Sequence, residues 1–258
     1  MQWKTIFVKE MLEDWRNFKW IWVPLVFILI AIMDPLTTYY MPKILDAVGG
    51  LPDGTVFEIP DVSPVAAMMM SLSEMSMFGV VVIVAITMGV IAGERRSGVA
   101  ELVLVKPVSY LTYITSKWAE KLVLVWISFI IGMFASWYYV NLLFGEISFS
   151  AFLQVLFFYG LWLSLVVTIT IFFNTLFKVP GLVLFVTIAT IIMMSIINQV
   201  FSHVLIWFPN NMSSHIGGML DGNHVSGDLW GTAFVTIEVI ILLIIASLFS
   251  FRGKEMAN

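Results

Sequence analysis

The chain contains no cysteine and few charged residues, and each shortage excludes a large class of protein. Without cysteine there is no disulfide framework and no thiolate metal site. Only 12% of the residues are charged and 60% are hydrophobic, whereas soluble globular domains carry roughly 25% charged residues. An ordinary soluble globule is therefore excluded, and a protein that lies within a membrane is expected.

Six apolar stretches are long enough to cross a bilayer, which takes ~20 residues of helix each. We predict spans at about 20–40, 75–92, 122–144, 152–177, 181–203 and 229–251. Because these spans and their connections use most of the 258 residues, we expect residues 1–258 to form a single all-α membrane domain.

The 13 basic residues occur almost entirely in alternate connections between the spans. They precede the first span or follow the second, fourth and sixth spans, and only Lys43 lies elsewhere. Cytoplasmic loops are enriched in Lys and Arg because positively charged segments resist translocation. We therefore predict a multi-pass protein whose two termini are both cytoplasmic.

The first 19 residues have the pattern of an amphipathic helix and not of a span. Large apolar side chains recur at spacings of four and three and so share one helical face: Trp3, Phe7, Met11, Trp15 and Phe18. Charged residues such as Glu10 and Glu13 fall outside that face. Tryptophan and basic residues on one helix suit the lipid interface, so we predict an interfacial helix at 1–19. Simple packing against the bundle is the alternative.

The connection after the second span contains an apolar run that is too short to cross a bilayer. Residues 99–105 are apolar with one exception, and apolar surface exposed in a charged loop indicates a protein contact. Gly98 permits a chain reversal, Pro107 ends a helix, and Ser109 can cap the next one. We predict that residues 94–121 form a cytoplasmic segment with a short helix that docks a cytosolic partner.

This segment resembles the type-two permease subunits of bacterial ATP-binding-cassette exporters. The residues that carry the resemblance are Gly93-Glu94, then Gly98, then an apolar run with an acid, then Pro107-Val108-Ser109. The aromatic and basic sequence at 248–254 is similar to the end of such permeases. Tyr110 departs from the pattern, because the family often has a basic residue after Pro-Val-Ser.

The resemblance implies six spans, an N-terminal interfacial helix and a cytoplasmic coupling helix in a bacterial cell membrane. It also implies a second permease, identical or related, that encloses a transport path with this one. A separate nucleotide-binding subunit would bind ATP and Mg and hydrolyse the ATP, while this chain would bind no cofactor and catalyse nothing. The residues expected to contact that subunit are Glu94, Gly98, Glu101, Leu102, Leu104 and Pro107. In agreement, the sequence has no phosphate-binding loop motif.

Two predicted spans contain a carboxylate, and intramembrane carboxylates are costly enough to be candidates for a function. Asp34 precedes a proline near the outer end of its span, so hydration at the interface is the simpler explanation. Glu238 lies ~13 Å along its helix from the start of the last span. We expect Glu238 either to hydrogen bond to Asn198 or Gln199 or to line a substrate path.

The alternative function is an ion-coupled secondary transporter that uses Glu238 and Asp34 and needs no ATPase. Motifs of intramembrane enzymes are absent. No nucleic-acid partner is expected, and the three histidines are explained by loop polarity without a metal site. The sequence leaves open whether 208–228 is a plain external loop or a re-entrant segment. It indicates only that the cargo is amphiphilic.

Overall fold

The computed structural model describes residues 2–48, 62–99, 108–222 and 224–255. Throughout these residues the regular elements are helices, which confirms the predicted all-α class. The α-helices are α1 (Gln2–Arg16), α2 (Lys19–Ala47), α3 (Pro64–Glu74), α4 (Val80–Thr87), α5 (Ala92–Ser97), α6 (Tyr110–Leu143), α7 (Phe149–Leu176), α8 (Pro180–Phe201), α9 (Met212–Gly222) and α10 (Gly227–Glu255). A π-helical turn, Met75–Gly79, joins α3 to α4, and a 3₁₀ turn, Pro209–Asn211, precedes α9.

Six helical stretches are long and apolar enough to cross a membrane, which confirms the predicted number of spans. The second of them is the continuous stretch that contains α3, α4 and α5. The other five are single helices: α2, α6, α7, α8 and α10. The 34 residues of α6 measure ~51 Å at ~1.5 Å per residue. Since the hydrocarbon core of a bilayer is ~30 Å thick, the charged first turns of α6 can lie outside it.

The helix of the second span begins well before the predicted start at residue 75. It begins at Pro64, where the Ser63 hydroxyl accepts a hydrogen bond from the amide of Ala66 at 3.1 Å. A serine cap followed by proline is a strong helix start, because proline lacks only an N–H that would be unpaired there. As a result Glu74, which directly precedes the predicted span, is the eleventh residue of the helix.

Close approach of α2 and α6 forms one half of the bundle, and α7 lies at its centre with most of its length buried. Small buried residues recur every four positions on α6: Ser128, Gly132 and Ser136. A Cβ atom on Gly132 would lie 2.8 Å from the carbonyl oxygen of Phe27 on α2. Small side chains at this spacing let membrane helices approach closely.

The segment 208–228, left open by the sequence, contains the packed helix α9. Its buried side chains are Met212, Ile216, Met219 and Leu220, and they pack α9 against α3 and α7. Gly217 lies beside Met69, five residues past the first residue of α3. This segment is therefore a folded cover on one end of the bundle.

At the other end lie α1, α5, the first turns of α6 and the turn between α7 and α8, and we call this the basic end. The N-terminal segment is a helix, as the sequence predicts, and it packs on α6 and α2. Phe18 turns the chain from α1 into α2 with a left-handed backbone, φ 56°. Trp3, Trp15 and Phe18 are exposed, and their contact with lipid stays a prediction.

Candidate functional site: an ionic junction at the basic end

Two short boundaries flank residues 100–107, which lie outside the described part of the chain. On one side is α5, a six-residue helix that ends at Gly98 with φ 78°. Glycine adopts this left-handed backbone without steric cost, so Gly98 caps α5; the predicted chain reversal involves residues outside the described part and stays a prediction. On the other side Ser109 accepts a hydrogen bond from the amide of Thr112 at 3.1 Å, which confirms Ser109 as the cap of α6.

Glu94 on α5 is held by side chains from both α1 and α6. Its Oε1 atom lies 2.8 Å from Nζ of Lys9 and 3.0 Å from Nζ of Lys117. Its other oxygen accepts a hydrogen bond from the Tyr113 hydroxyl at 2.5 Å. Lys117, which is 1% exposed, also donates to Glu10 at 2.7 Å. The predicted coupling residue Glu94 is thus the meeting point of three helices.

A second group of charges, one helical turn away, joins α1 to α6 and α2. Asp14 accepts hydrogen bonds from Lys121, which is buried, and from Lys19 at 2.7 Å. Nζ of Lys121 also lies 2.9 Å from Oε2 of Glu120. That contact lacks hydrogen-bond geometry, and neither Glu120 oxygen has a hydrogen-bond partner among the described residues. We call the two groups together the ionic junction: Lys9, Glu10, Asp14, Lys19, Glu94, Tyr113, Lys117, Glu120 and Lys121.

The partners of Lys9 and Asp14 stabilise the charged forms of these two residues strongly enough to overcome burial. Burial alone disfavours ionised Lys9, but contacts with Glu94 and Glu10 raise its pKa above the usual value. Burial likewise disfavours ionised Asp14, but Lys121 and Lys19 hold its pKa below the usual value. Both groups on α1 therefore stay charged at neutral pH, and the ion pairs persist.

Arg95, the neighbour of Glu94, ties α5 to the opposite side of the bundle. Its side chain is buried, and its Nη1 donates to the carbonyl oxygen of Thr175 at 2.8 Å near the end of α7. Its guanidinium also lies 5.3 Å from the ring centroid of Phe251 on α10, within range of a cation–π contact. Consecutive residues of α5 thus bind four other helices.

The ionic junction borders a half-open cleft of about 400 Å³. One wall carries Asp14, Lys19, Glu94 and Lys121, and the other is the chain after α4, including Gly89. The cleft gives water a route to buried charges at the basic end.

A second cavity, about 500 Å³, lies between the π-helical turn and α8. Its polar lining consists of uncharged side chains: Ser73, Ser76, Ser195 and Gln199. The remaining lining residues are apolar, among them Met77 and Ile192. The Ser76 hydroxyl is 2.8 Å from that of Tyr159 on α7. We call this cavity the α8 groove; an amphiphilic molecule would match its mixed, uncharged surface.

The other predicted site residues are dispersed. Glu101, Leu102, Leu104 and Pro107 lie outside the described residues. Asp34 is half-buried on α2 and Glu238 is exposed on α10, and neither has a hydrogen bond or ion pair with any described residue.

The expected hydrogen bond from Glu238 to Asn198 or Gln199 is absent among the described residues. Nδ2 of Asn198 donates to Asn211 at 2.8 Å instead. The 3₁₀ turn before α9 folds back over the end of α8 and so supplies that partner.

Sequence reasoning missed the ionic junction and the position of Glu74 within the second span. The sequence pattern places Glu10 on the polar side of an interfacial helix, but Glu10 and its neighbour Asp14 are both buried against α6. The sequence did carry one signal: Glu10 and Asp14 are four residues apart, as are Lys117 and Lys121. Equal spacing of opposite charges on two helices permits matched pairs along one line of contact.

The six spanning helices define a multi-pass membrane protein. The sequence model of the ABC-2 family transporter proteins matches residues 4–218, and the chain belongs to that family. It is also similar to the uncharacterized transmembrane protein YxlG of Bacillus subtilis (strain 168), with 34% identity over 250 residues. That alignment covers 96% of each chain.

Proposed function

We propose that this chain is the permease subunit of an ATP-driven exporter in a bacterial cell membrane, with both termini cytoplasmic. A separate nucleotide-binding subunit binds ATP and Mg and carries out the hydrolysis, and this chain has no ATPase site. Membership of the ABC-2 transporter family supports the class. The observation that carries the proposal is the 3.0 Å ion pair between Glu94 and Lys117, which joins the two flanks of residues 100–107 to each other.

In this proposal residues 94–110 are the contact with the ATPase subunit. Glu101, Leu102 and Leu104 touch that subunit, and a force applied to them reaches Glu94 on one side and Lys117 on the other. Buried ion pairs with several partners resist separation, because a single removed partner leaves an uncompensated charge. The force is therefore passed to α1 and α6 together.

Transport itself is proposed to occur between two permease copies, identical or related. The α8 groove supplies one wall of the path, since it is the cavity with hydroxyl and amide groups on spanning helices and no charged side chain in its described lining. The cargo is an amphiphile, such as a drug, a lipid or a peptide. Nucleotide binding favours whichever arrangement of the bundles binds that nucleotide better, as linkage requires.

The test is ATP hydrolysis by the co-expressed nucleotide-binding subunit, measured with the permease in proteoliposomes. Charge reversal at Glu101→Lys, and Leu102→Ala with Leu104→Ala, should abolish stimulation of hydrolysis by the permease while insertion stays normal. Glu146→Lys is the matched control, because Glu146 is an exposed acid at the opposite end of the bundle. Normal stimulation by the altered permeases would refute the coupling assignment.

An ion-coupled carrier predicts the reverse pattern. Transport would then continue without ATP and would be abolished by Glu238→Gln. The exporter proposal expects transport to require ATP in both the wild type and Glu238→Gln.

A further inference from the structure

The second spanning helix is interrupted at the basic end, between α4 and α5. The last regular hydrogen bond of α4 runs from the amide of Met88 to the carbonyl oxygen of Val84. The amide of Val90 then donates to the carbonyl oxygen of Thr87, which is three residues earlier instead of four. The backbone of Ile91 has φ −113°. No proline lies in this stretch. Helices also break where a side chain enters the hydrogen-bond ladder, and a side chain of another helix does so here.

That side chain is Asn174 of α7, which is fully buried. Its Oδ1 accepts hydrogen bonds from the amides of Ile91 at 3.2 Å and Ala92 at 3.0 Å. Its Nδ2 donates to the carbonyl oxygen of Thr87 at 3.1 Å and to that of Thr170 at 2.9 Å. One amide thus satisfies backbone groups on both sides of the break, which needs a side chain that donates and accepts.

Thr175, the next residue of α7, binds α5 on the other side of the same break. The carbonyl oxygen of Thr175 accepts from Arg95 at 2.8 Å, so Asn174 and Thr175 together seat α5 on the end of α7. Because α7 is the most buried spanning helix, it provides a fixed base. Glu94, on the other side of α5, is joined to α1 and α6 through the ionic junction.

The break also has room on its open side. A Cβ atom placed on Gly89 or Gly93 would have no heavy atom within 4 Å, and Met88, Gly89 and Val90 line the cleft beside the ionic junction. These two positions are therefore not packed against neighbouring side chains, and packing there does not oppose a change in the backbone angle.

We propose that Met88–Ile91 is a joint in the second span and that Asn174 is its positioning residue. Asn174 sets the angle at which α5 leaves the bundle, so movement of residues 100–107 turns α5 about this point and reaches α7. This inference rests on the proposed function, which supplies the moving partner. In this inference the buried side-chain amide of Asn174 transfers the movement of α5 to the membrane helices.

Amide hydrogen exchange of the full-length permease, measured on peptides that cover 87–95, tests the joint itself. In Asn174→Leu the amides of Ile91 and Ala92 should exchange about tenfold faster or more, because each loses a buried hydrogen bond. Thr236→Val is the matched control: it is a buried residue on α10 whose hydroxyl bonds within its own helix, to Thr232, and it makes no hydrogen bond to Asn174. It should leave the exchange unchanged.

The second readout is cargo moved per ATP hydrolysed, with the nucleotide-binding subunit present. Asn174→Leu should lower this ratio at least about fivefold, the scale of typical coupling energies, while Asn174→Gln, which keeps an amide, should retain part of it. Gly89→Ala stiffens the joint without touching Asn174 and should also lower the ratio. If Asn174→Leu fails to accumulate, the transport ratio of Gly89→Ala tests the joint instead.

The joint would be refuted if Gly89→Ala moved as much cargo per ATP as the wild type. For Asn174→Leu, where this variant accumulates, the same result would also refute it. Unchanged exchange at Ile91 and Ala92 in Asn174→Leu would overturn it as well. A wild-type chain that never couples to ATP hydrolysis would instead contradict the proposed function.

Discussion

Lys117 donates a hydrogen bond to Glu10 across 107 positions of sequence, with 2.7 Å between Nζ and Oε1. Glu10 lies on a helix before the first span, and Lys117 lies at the start of the third. Both side chains are buried, so the pair fixes α1 to the segment that follows residues 100–107. It makes the N-terminal helix part of the same unit as the proposed coupling segment.

Removal of one partner of this pair should release α1. Lys117→Met leaves Glu10 and Glu94 without their buried partner, and the loss of a partner from a buried pair costs ~3–5 kcal/mol. We expect a lower unfolding temperature in detergent and faster proteolytic cleavage between α1 and α2. The double variant Glu10→Gln with Lys117→Met should recover part of the loss.

Lys4→Met is the control for that experiment, since Lys4 is exposed on the same helix and should change little. Equal stability of Lys117→Met and the wild type would show that the pair does not hold α1.

The contribution of Asp14 to stability should depend on pH in one direction. Its pKa is lowered in the folded protein by Lys121 and Lys19, so its stabilisation is present above the unfolded value of about 3.9. It is lost as the pH falls through the lower, folded value. The stability difference between the wild type and Asp14→Asn should therefore shrink as the pH falls below about 4. A difference that grows on acidification would contradict the ion pair.

Close packing of α2 on α6 should make Gly132 intolerant of even one methyl group. In Gly132→Ala the new Cβ would lie 2.8 Å from a backbone oxygen of Phe27, and overpacking of this kind costs about 1–3 kcal/mol. Gly218→Ala is the matched control, because its Cβ meets nothing within 4 Å, and alanine favours a helix by about 1 kcal/mol. Thermal unfolding in detergent should separate the two substitutions; the same shift for both would disprove the close contact.

The proposed dimer can be tested by disulfide cross-linking, since the chain has no cysteine of its own. Ile196 lines the α8 groove and is 56% exposed, and Leu29 on α2 is 62% exposed. If the groove faces a second copy, Ile196→Cys should form a covalent dimer in the membrane and Leu29→Cys should not. Cross-linking at Leu29 alone would place the second copy on the other side.

Local sequence patterns were sufficient for the helices but not for the contacts between them. Hydrophobic length predicts six spans, and glycine and serine at 98 and 109 predict the turn and the cap, because these depend on neighbouring residues. The start of the second span at Pro64 is not evident from apolar length, because the carboxylate of Glu74 interrupts the apolar run although the helix continues through it. The sequence does not predict the cover helix α9, because its apolar residues are mixed with polar ones.

Periodicity shows the matched spacing of charges in α1 and α6, but it identifies neither their pairing nor the Asn174 joint. Glu10 meets Lys117, and Asn174 meets Ile91, only after helices distant in sequence have packed. Asn174 is one of several polar residues in a mostly apolar helix, and its spacing to the others says nothing about a break in another helix.

Photo-cross-linking from Val99 tests the central claim most directly. Val99 is 39% exposed and directly precedes residues 100–107. A photoreactive residue placed there should capture the co-expressed nucleotide-binding subunit, and the same residue at the exposed Ser150, at the opposite end, should not. Capture from Ser150 instead, or modification of a cysteine at position 99 by an impermeant reagent added to sealed cells, would contradict the account.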